Sequence, residues 1–411
     1  MEKIEKRNEI RISYQIEILN LLRKGKRTIT EIANILGVSF TAISHIVDEL
    51  VKAGLLSYTD RQQLKTRGRN PVFVELNCKN GVVCSIDFAS LDIRIAIASL
   101  DTKIIVEKKL FNVEFLTRDV LEQIESEIKD LLAKPEVKNR KLLSICIASP
   151  GLIRPDNFEY VISRRLKDYA VLNPVQYLTN AFNVRVEMYN DVRLGCLAEM
   201  KYGVFPKKTF NGLFVHIGFY GGLTLIINGK IYKGSNGFSG ETPVYIGEDE
   251  ITIASRWNSR FFPIWEIDCL IKRKKGLPLP GVGELIDLDS LIKNYNEGDK
   301  TTIDAVEESA KRNAMTIFGL ATILDIDYVV IEGKILEFGT KYLDLIRKNI
   351  NDFSSSEIRA RIVVSGLKEE GSTLGACYQA SSIYYKDTIE NSTRERFNIP
   401  DFVLGEKYRE L

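Results

Sequence analysis

A chain of 411 residues with 45% hydrophobic and 27% charged residues is long enough for two or three domains with large cores. That balance excludes a disordered chain, and no apolar run approaches the roughly 18 residues of a membrane span. Six scattered cysteines with no CxxC pair, and only His45 and His216, leave disulfide frameworks and thiolate or histidine metal sites poorly supplied. The charged start MEKIEKRNEIR does not read as a signal peptide, so the expected location is cytoplasmic, with no membrane partner. Net charge is +2, but residues 1–70 carry 13 Lys and Arg against 8 Asp and Glu, while the remainder carries 44 against 47. A basic head on a slightly acidic body points to a polyanion met by the head alone.

Ile12, Ile16, Leu19 and Leu22 recur at helical spacing and predict a first helix from about Ile10 to Lys24, closed by Gly25. Thr28-Ile29-Thr30-Glu31 is a capping box that opens a short second helix, ended by Gly37. Ser39 caps a third helix, SFTAISHIVDELVKAG, which Gly54 terminates. Two helices joined by a short glycine turn follow the helix-turn-helix plan, whose second helix enters the major groove. Ile43, Ile46, Val47 and Leu50 form its inward stripe. Phe40, Thr41, Ser44 and His45 are left outward near its start, where they can reach base edges. His45 alone is equally compatible with a solvated face. LLSYTD and RQQLKTRGRNPVFVEL read as a two-stranded wing, with Lys65, Arg67 and Arg69 as a cationic tip for phosphates. Helix pairs of this shape also serve as protein-interaction modules, but this spacing with a basic wing favours double-stranded DNA.

From residue 77 strands and helices alternate. GVVCSIDFASLDIRIAIASLDTKIIVEKK predicts two or three strands, RDVLEQIESEIKDLLAK an amphipathic helix, and KLLSICIASPGLI a strand ending in Pro150-Gly151. VRVEMY is a strand whose C-terminal end carries Asn190-Asp191 and opens a helix. Ligand groups collect at such junctions in α/β sheets. Asn190 can donate and accept, and Asp191 can accept from a hydroxyl or act as a base; alternatively Asp191 is only a helix cap. Residues 217–241 turn repeatedly on glycine, with Asn228-Gly229 as a hairpin signal and a second turn, Gly234 to Gly240, that delivers Glu241. The stretch is either a plain meander or a ligand cradle. A loop-rich insertion over about 247–290 follows. Then come the helix DAVEESAKRNAMTIFGLATILD, the strand YVVIEG, another helix, the strand ARIVVSG and the helix GSTLGACYQASSIYY. Two α/β halves facing each other across a cleft is the simplest arrangement.

In order, these features resemble the ROK family of repressors, open reading frames and sugar kinases. The resemblance rests on Pro150-Gly151, Asn190-Asp191 with Ala198-Glu199, Gly229-Lys230-Ile231-Tyr232 with Gly234, and Gly237 with Gly240-Glu241. It implies an α/β class: a winged helix-turn-helix over residues 1–76 and an actin- and hexokinase-like two-lobed body. The lobes are expected over 77–190 and 191–390, with an extension over 391–411. It also implies that Gly151, Asn190, Asp191, Glu241 and, by a looser match, Glu266 bind a sugar, with Asp191 the base in the kinases.

Departures from the family pattern remove the chemistry. The D-x-G-G-T phosphate loop reads Asp87-Phe88-Ala89-Ser90-Leu91, and the second phosphate turn is Gly218-Phe219-Tyr220-Gly221-Gly222. Glu332-Gly333 stands where paired glycines are usual, and Val244 where the family's zinc histidine would fall. The expectation is no catalytic residue, no cofactor and no metal. The chain then reads as a repressor of carbohydrate genes, bound to a palindromic operator as a homodimer or homotetramer, with a small carbohydrate effector in the interlobe cleft. The alternatives are a sugar kinase fused to a DNA-binding head, and an effector-independent regulator whose body only dimerises.

Overall fold

The computed structural model describes residues 2–59, 72–89, 92–111, 113, 116–153, 160–162, 172–206, 209–240, 262–280, 286–353 and 360–397. The head holds α1 (Glu2–Leu22), β1 (Arg27–Thr28), α2 (Ile29–Leu36), α3 (Phe40–Lys52), β2 (Leu56–Tyr58) and β3 (Phe73–Leu76). α1 begins ahead of the predicted Ile10, because Glu, Lys and Arg are good helix formers without an apolar period to reveal them. The capping box forms as read: the Thr28 N–H donates to Glu31 at 2.7 Å and the Glu31 N–H donates to Thr28 at 3.2 Å. The Thr28 N–H, and the Thr28 hydroxyl at 3.0 Å, hold the Glu31 carboxyl below its usual range. Gly37 closes α2 in the left-handed region, at φ 65°, and Ser39 caps α3. Ile43, Ile46, Val47 and Leu50 are all buried, as the stripe predicts. β2 and β1 flank β3 in a small antiparallel sheet; the predicted wing tip lies outside the described residues.

The first body sheet is built from β4 (Gly81–Asp87), β5 (Ile93–Ala98), β6 (Ile104–Leu110), β7 (Lys141–Ser149) and β10 (Arg185–Asn190) in the order β10-β7-β4-β5-β6. α4 (Arg118–Ala133), the short pair β8 (Leu152–Ile153) and β9 (Tyr160–Ile162), and α5 (Pro174–Phe182) connect them. Every residue of β4 is buried, as expected of a central strand covered on both faces. After α6 (Asp191–Tyr202) comes a second sheet, β13-β12-β11-β14-β15, from β11 (Gly212–Ile217), β12 (Gly221–Ile227), β13 (Lys230–Tyr232), β14 (Tyr328–Glu332) and β15 (Arg361–Val364). Around it lie α7 (Ile264–Lys274), α8 (Leu288–Asn296), α9 (Lys300–Leu324) and α10 (Thr340–Phe353), before α11 (Gly371–Phe397) ends the described chain. Leu213, Val215, Val329 and Ile331 of the sheet share one core with Ala305, Ala310, Ala314 and Ile317 of α9.

The chain forms two compact units. Unit 1 holds residues 1–148, 168–188 and 376–411; unit 2 holds 149–167 and 189–375. The head therefore belongs with the first α/β lobe, and α11 divides at residue 375. The sequence division, by contrast, set the head apart and kept the last helix with the second lobe. The helix also runs on to Phe397, past the start of the predicted extension.

Within unit 1 the head is fastened by Arg23, just beyond α1 and only 5% exposed. Its guanidinium donates to the hydroxyls of Ser381 and Ser382 and to the carbonyl oxygens of Tyr378 and Leu100. It also lies 4.0 Å over the Tyr378 ring and 5.0 Å from the Tyr385 ring centre. Tyr378 donates its hydroxyl to Asn20 at 2.7 Å, and Glu49 of α3 pairs with both Arg11 and Arg396. A planar, always-charged fork satisfies several acceptors and two aromatic faces at once, which an ammonium cannot. Arg23→Ala is expected to cost about 3 kcal/mol by leaving buried acceptors unpaired, with Arg23→Lys recovering only part. Urea denaturation of the full chain measures both.

Candidate ligand site and DNA-reading face

β10 delivers Asn190 at its C-terminal end, where it serves as the N-cap of α6. Its Oδ1 accepts from the Arg193 N–H at 3.1 Å, and its Nδ2 donates to the Gly151 carbonyl at 3.2 Å. The cap role considered for Asp191 thus falls to Asn190. Asp191 is the first helical residue, 8% exposed, at a helix end that favours negative charge. Arg193, one turn on, donates to the carbonyls of Gly237 at 2.6 Å and Ser239 at 2.9 Å. It pins the second glycine turn against α6. Gly240 ends that turn at φ 88°, and a Cβ there would stand 2.1 Å from the Leu223 carbonyl, so only glycine fits. Gly151, Asn190, Asp191 and the turn 234–240 therefore share one corner of unit 2. Glu241 lies just outside the described residues. Buried at this corner, the hydroxyls of Thr224 and Ser239 have no hydrogen-bond partner among the described residues. Sequence reading missed Arg193, because its partners are carbonyls more than forty residues away.

Glu266 stands in the first turn of α7, which is anchored on the first glycine turn: the Ile264 N–H donates to Gly218 at 3.0 Å and the Trp265 N–H to Phe219 at 3.4 Å. Gly222, at the end of that turn, packs against Val192 of α6, beside Asp191. Glu266 is 7% exposed, and its Oε1 and the Trp265 Nε1 are buried without partners among the described residues. Burial pushes the Glu266 carboxyl up to about 7, against the pull of Arg312 and Arg273. A carboxyl poised there can donate as well as accept.

On the head, Phe40 is 54% exposed, Thr41 and His45 are exposed and Ser44 is half-buried, all on the face of α3 away from its buried stripe. Lys65, Arg67 and Arg69 lie outside the described residues.

The ROK family profile matches residues 83–243 and 270–382. The chain belongs to the ROK family. A second profile, described as bacterial regulatory protein, arsR family, matches residues 13–58, which span the helix-turn-helix. A xylose repressor of Caldicellulosiruptor bescii is 25% identical over 366 residues, covering 84% of this chain and 89% of that protein. A solved ROK family transcriptional regulator, a homolog of the E. coli MLC protein, shares the fold at a TM-score of 0.71 and 18% identity, over 90% of this chain and 95% of that one. The ROK hexokinase of Thermus thermophilus superposes at 0.60 and 14% identity, over 73% of this chain and 97% of its own.

In this ROK body the described residues of the turns that resemble phosphate loops bond and pack within the chain. Asp87 accepts from the Ala89 N–H at 2.8 Å, and Phe88, 4% exposed, is packed into the core with its N–H on Ala148. Phe219 packs against the unit 2 core. Glu332 is paired with His216 at 2.5 Å beside Gly218. The family residue Glu199 is fully buried and accepts from Ser365, from the Leu367 N–H at 3.0 Å and from the Val204 N–H at 2.9 Å, so it braces α6.

Because the folded state holds the Glu266 proton more tightly than the unfolded chain does, stability should fall as pH rises from about 4.5 through 7 and stay lowered above that. The full loss is roughly 3 kcal/mol. Glu266→Gln should flatten this slope and melt above the wild type at pH near 8, which thermal unfolding at two pH values checks.

Proposed function

We propose that this protein is a transcriptional repressor that binds duplex DNA through α3 and the basic wing, and lets go when a carbohydrate occupies the Gly151–Asn190–Asp191 corner. The observation that carries this reading is the joining, in one chain, of a helix-turn-helix to a ROK body in which Gly151, Asn190 and Asp191 meet at one corner. Burial of Phe88, packing of Phe219 and the His216–Glu332 pair, at the turns that resemble phosphate loops, support a body without phosphotransfer. Vicinal hydroxyls suit the donors and acceptors collected there. The relative named a xylose repressor makes xylose the first sugar to test.

The coupling follows α11. Gly375 lies so close to α6 that a Cβ would stand 2.0 Å from the Leu194 carbonyl, and farther along the same helix Tyr378, Ser381 and Ser382 hold Arg23. A ligand on Asn190 and Asp191 that shifts α6 therefore has a route to the head. It changes DNA affinity only by its differential affinity for the two arrangements. A palindromic operator would take two heads, about 34 Å apart.

A thermal-shift screen of mono- and disaccharides, phosphosugars and ATP should give a sugar hit and no response to ATP. On DNA selected from a random pool, the sugar should release wild type but not Asp191→Asn, which still binds DNA. ATP-dependent phosphorylation of the sugar, or normal release of Asp191→Asn, would overturn the reading. Arg67→Ala and Arg69→Ala should each weaken DNA binding with a log–log salt slope smaller by about 1, leaving the sugar shift intact.

A further inference from the structure

Helix α3 carries two adjacent carboxylates with different surroundings. Glu49 is held between Arg11 and Arg396. Asp48 has no cation partner among the described residues; its Oδ1 is bonded at 2.5 Å to the hydroxyl of Tyr58 in β2. A carboxylate only accepts, so the Tyr58 hydroxyl is the donor. At about 100° per residue, Phe40, Ser44, Asp48, Thr41, Lys52 and His45 follow one another round an arc of about 140°, with Asp48 near its middle. Ile43, Ile46, Val47 and Leu50 fill the opposite, buried arc. Tyr58 is 41% exposed beside the outer arc. Asp48 lies about 12 Å of helix rise beyond Phe40, far enough to meet a different base pair from the start of the helix.

We propose that Asp48, held in place by Tyr58, reads a base and selects cytosine at one position of the bound DNA. The inference rests on the reading of α3 as the helix that enters the major groove. A negative charge in the middle of a face that meets a polyanion opposes binding to every sequence. That opposition is offset only where the carboxylate finds a hydrogen-bond donor. In the major groove the bases offer donors at cytosine N4 and adenine N6 alone. Adenine sets its N7 acceptor beside the donor, whereas cytosine presents N4 without one, so cytosine suits a carboxylate better. Guanine O6 and N7 and thymine O4 repel it. The Tyr58 hydroxyl fixes the carboxylate through Oδ1, and Oδ2, which has no hydrogen-bond partner among the described residues, is left for the base. Selectivity then comes from penalising the wrong bases as much as from holding the right one. Tyr58 acts through Asp48 and is a positioning residue.

The test is selection from a random DNA pool by the full chain, wild type and variants side by side, followed by affinity measurements on the selected sequences. Wild type should fix a cytosine whose replacement weakens binding at least about 10-fold. Asp48→Asn, nearly isosteric, should move the preference at that position to adenine, whose N6 and N7 an amide can bridge. Asp48→Ala should bind all four bases there within about 2-fold, and should hold random-sequence DNA no more weakly than wild type. Tyr58→Phe should keep the cytosine but shrink its advantage. Preferences at the other positions should stay the same in all three variants. A selected sequence identical for wild type, Asp48→Asn and Asp48→Ala would overturn the inference and leave the repressor reading standing. So would an Asp48→Ala variant weakened on all sequences alike, the mark of a purely structural clamp. Failure of wild type to enrich any DNA would overturn both.

Discussion

The buried guanidinium of Arg23 is the constraint on which the head's placement depends. A charge that is only 5% exposed would be costly without partners, and no carboxylate is among the described groups that its hydrogen bonds reach in α11 and at Leu100. Two serine hydroxyls, two backbone carbonyls and two tyrosine rings compensate it instead. Those groups can only be assembled when the end of α1, the β5–β6 turn at Leu100 and the last helix are all in place. Glu49, held between Arg11 and Arg396, ties α3 to the same helix. Helix α3 is thereby packed within the same compact unit as the first lobe.

Helix α11 has a second constraint at its other end. The 2.0 Å that a Cβ at Gly375 would leave to the Leu194 carbonyl means the backbones of α6 and α11 touch one turn beyond Asn190 and Asp191. Glu199 braces the same helix from its far end through Ser365, Leu367 and Val204. α6 is thus held by interactions along its whole length: Asn190 on Gly151, Arg193 on the glycine turn, Leu194 on Gly375 and Glu199 on the loop after β15.

Local signals carried much of the fold. The capping box at Thr28, the stripe Ile43–Leu50 and the Asn228-Gly229 hairpin all form as their residue types dictate, because each depends on neighbours within a few positions. The helix preceding Ile10 was not legible, since it has charge but no apolar period. Neither were Arg23 and Arg193: an arginine bonded to distant carbonyls leaves no periodicity, cap or motif.

The sequence by itself determined most of the elements, though not α7 inside the stretch read as a loop-rich insertion, together with the family resemblance and the loss of the glycines that would cradle phosphates, since each is a property of short stretches and their order. Only the tertiary structure decided that Asn190, while capping α6, also reaches back to the Gly151 carbonyl. It likewise joined the head to the first lobe, divided α11 between the units and turned Glu199 into a brace. These outcomes rest on which buried polar groups find partners, and partners dozens to hundreds of residues apart are chosen by packing.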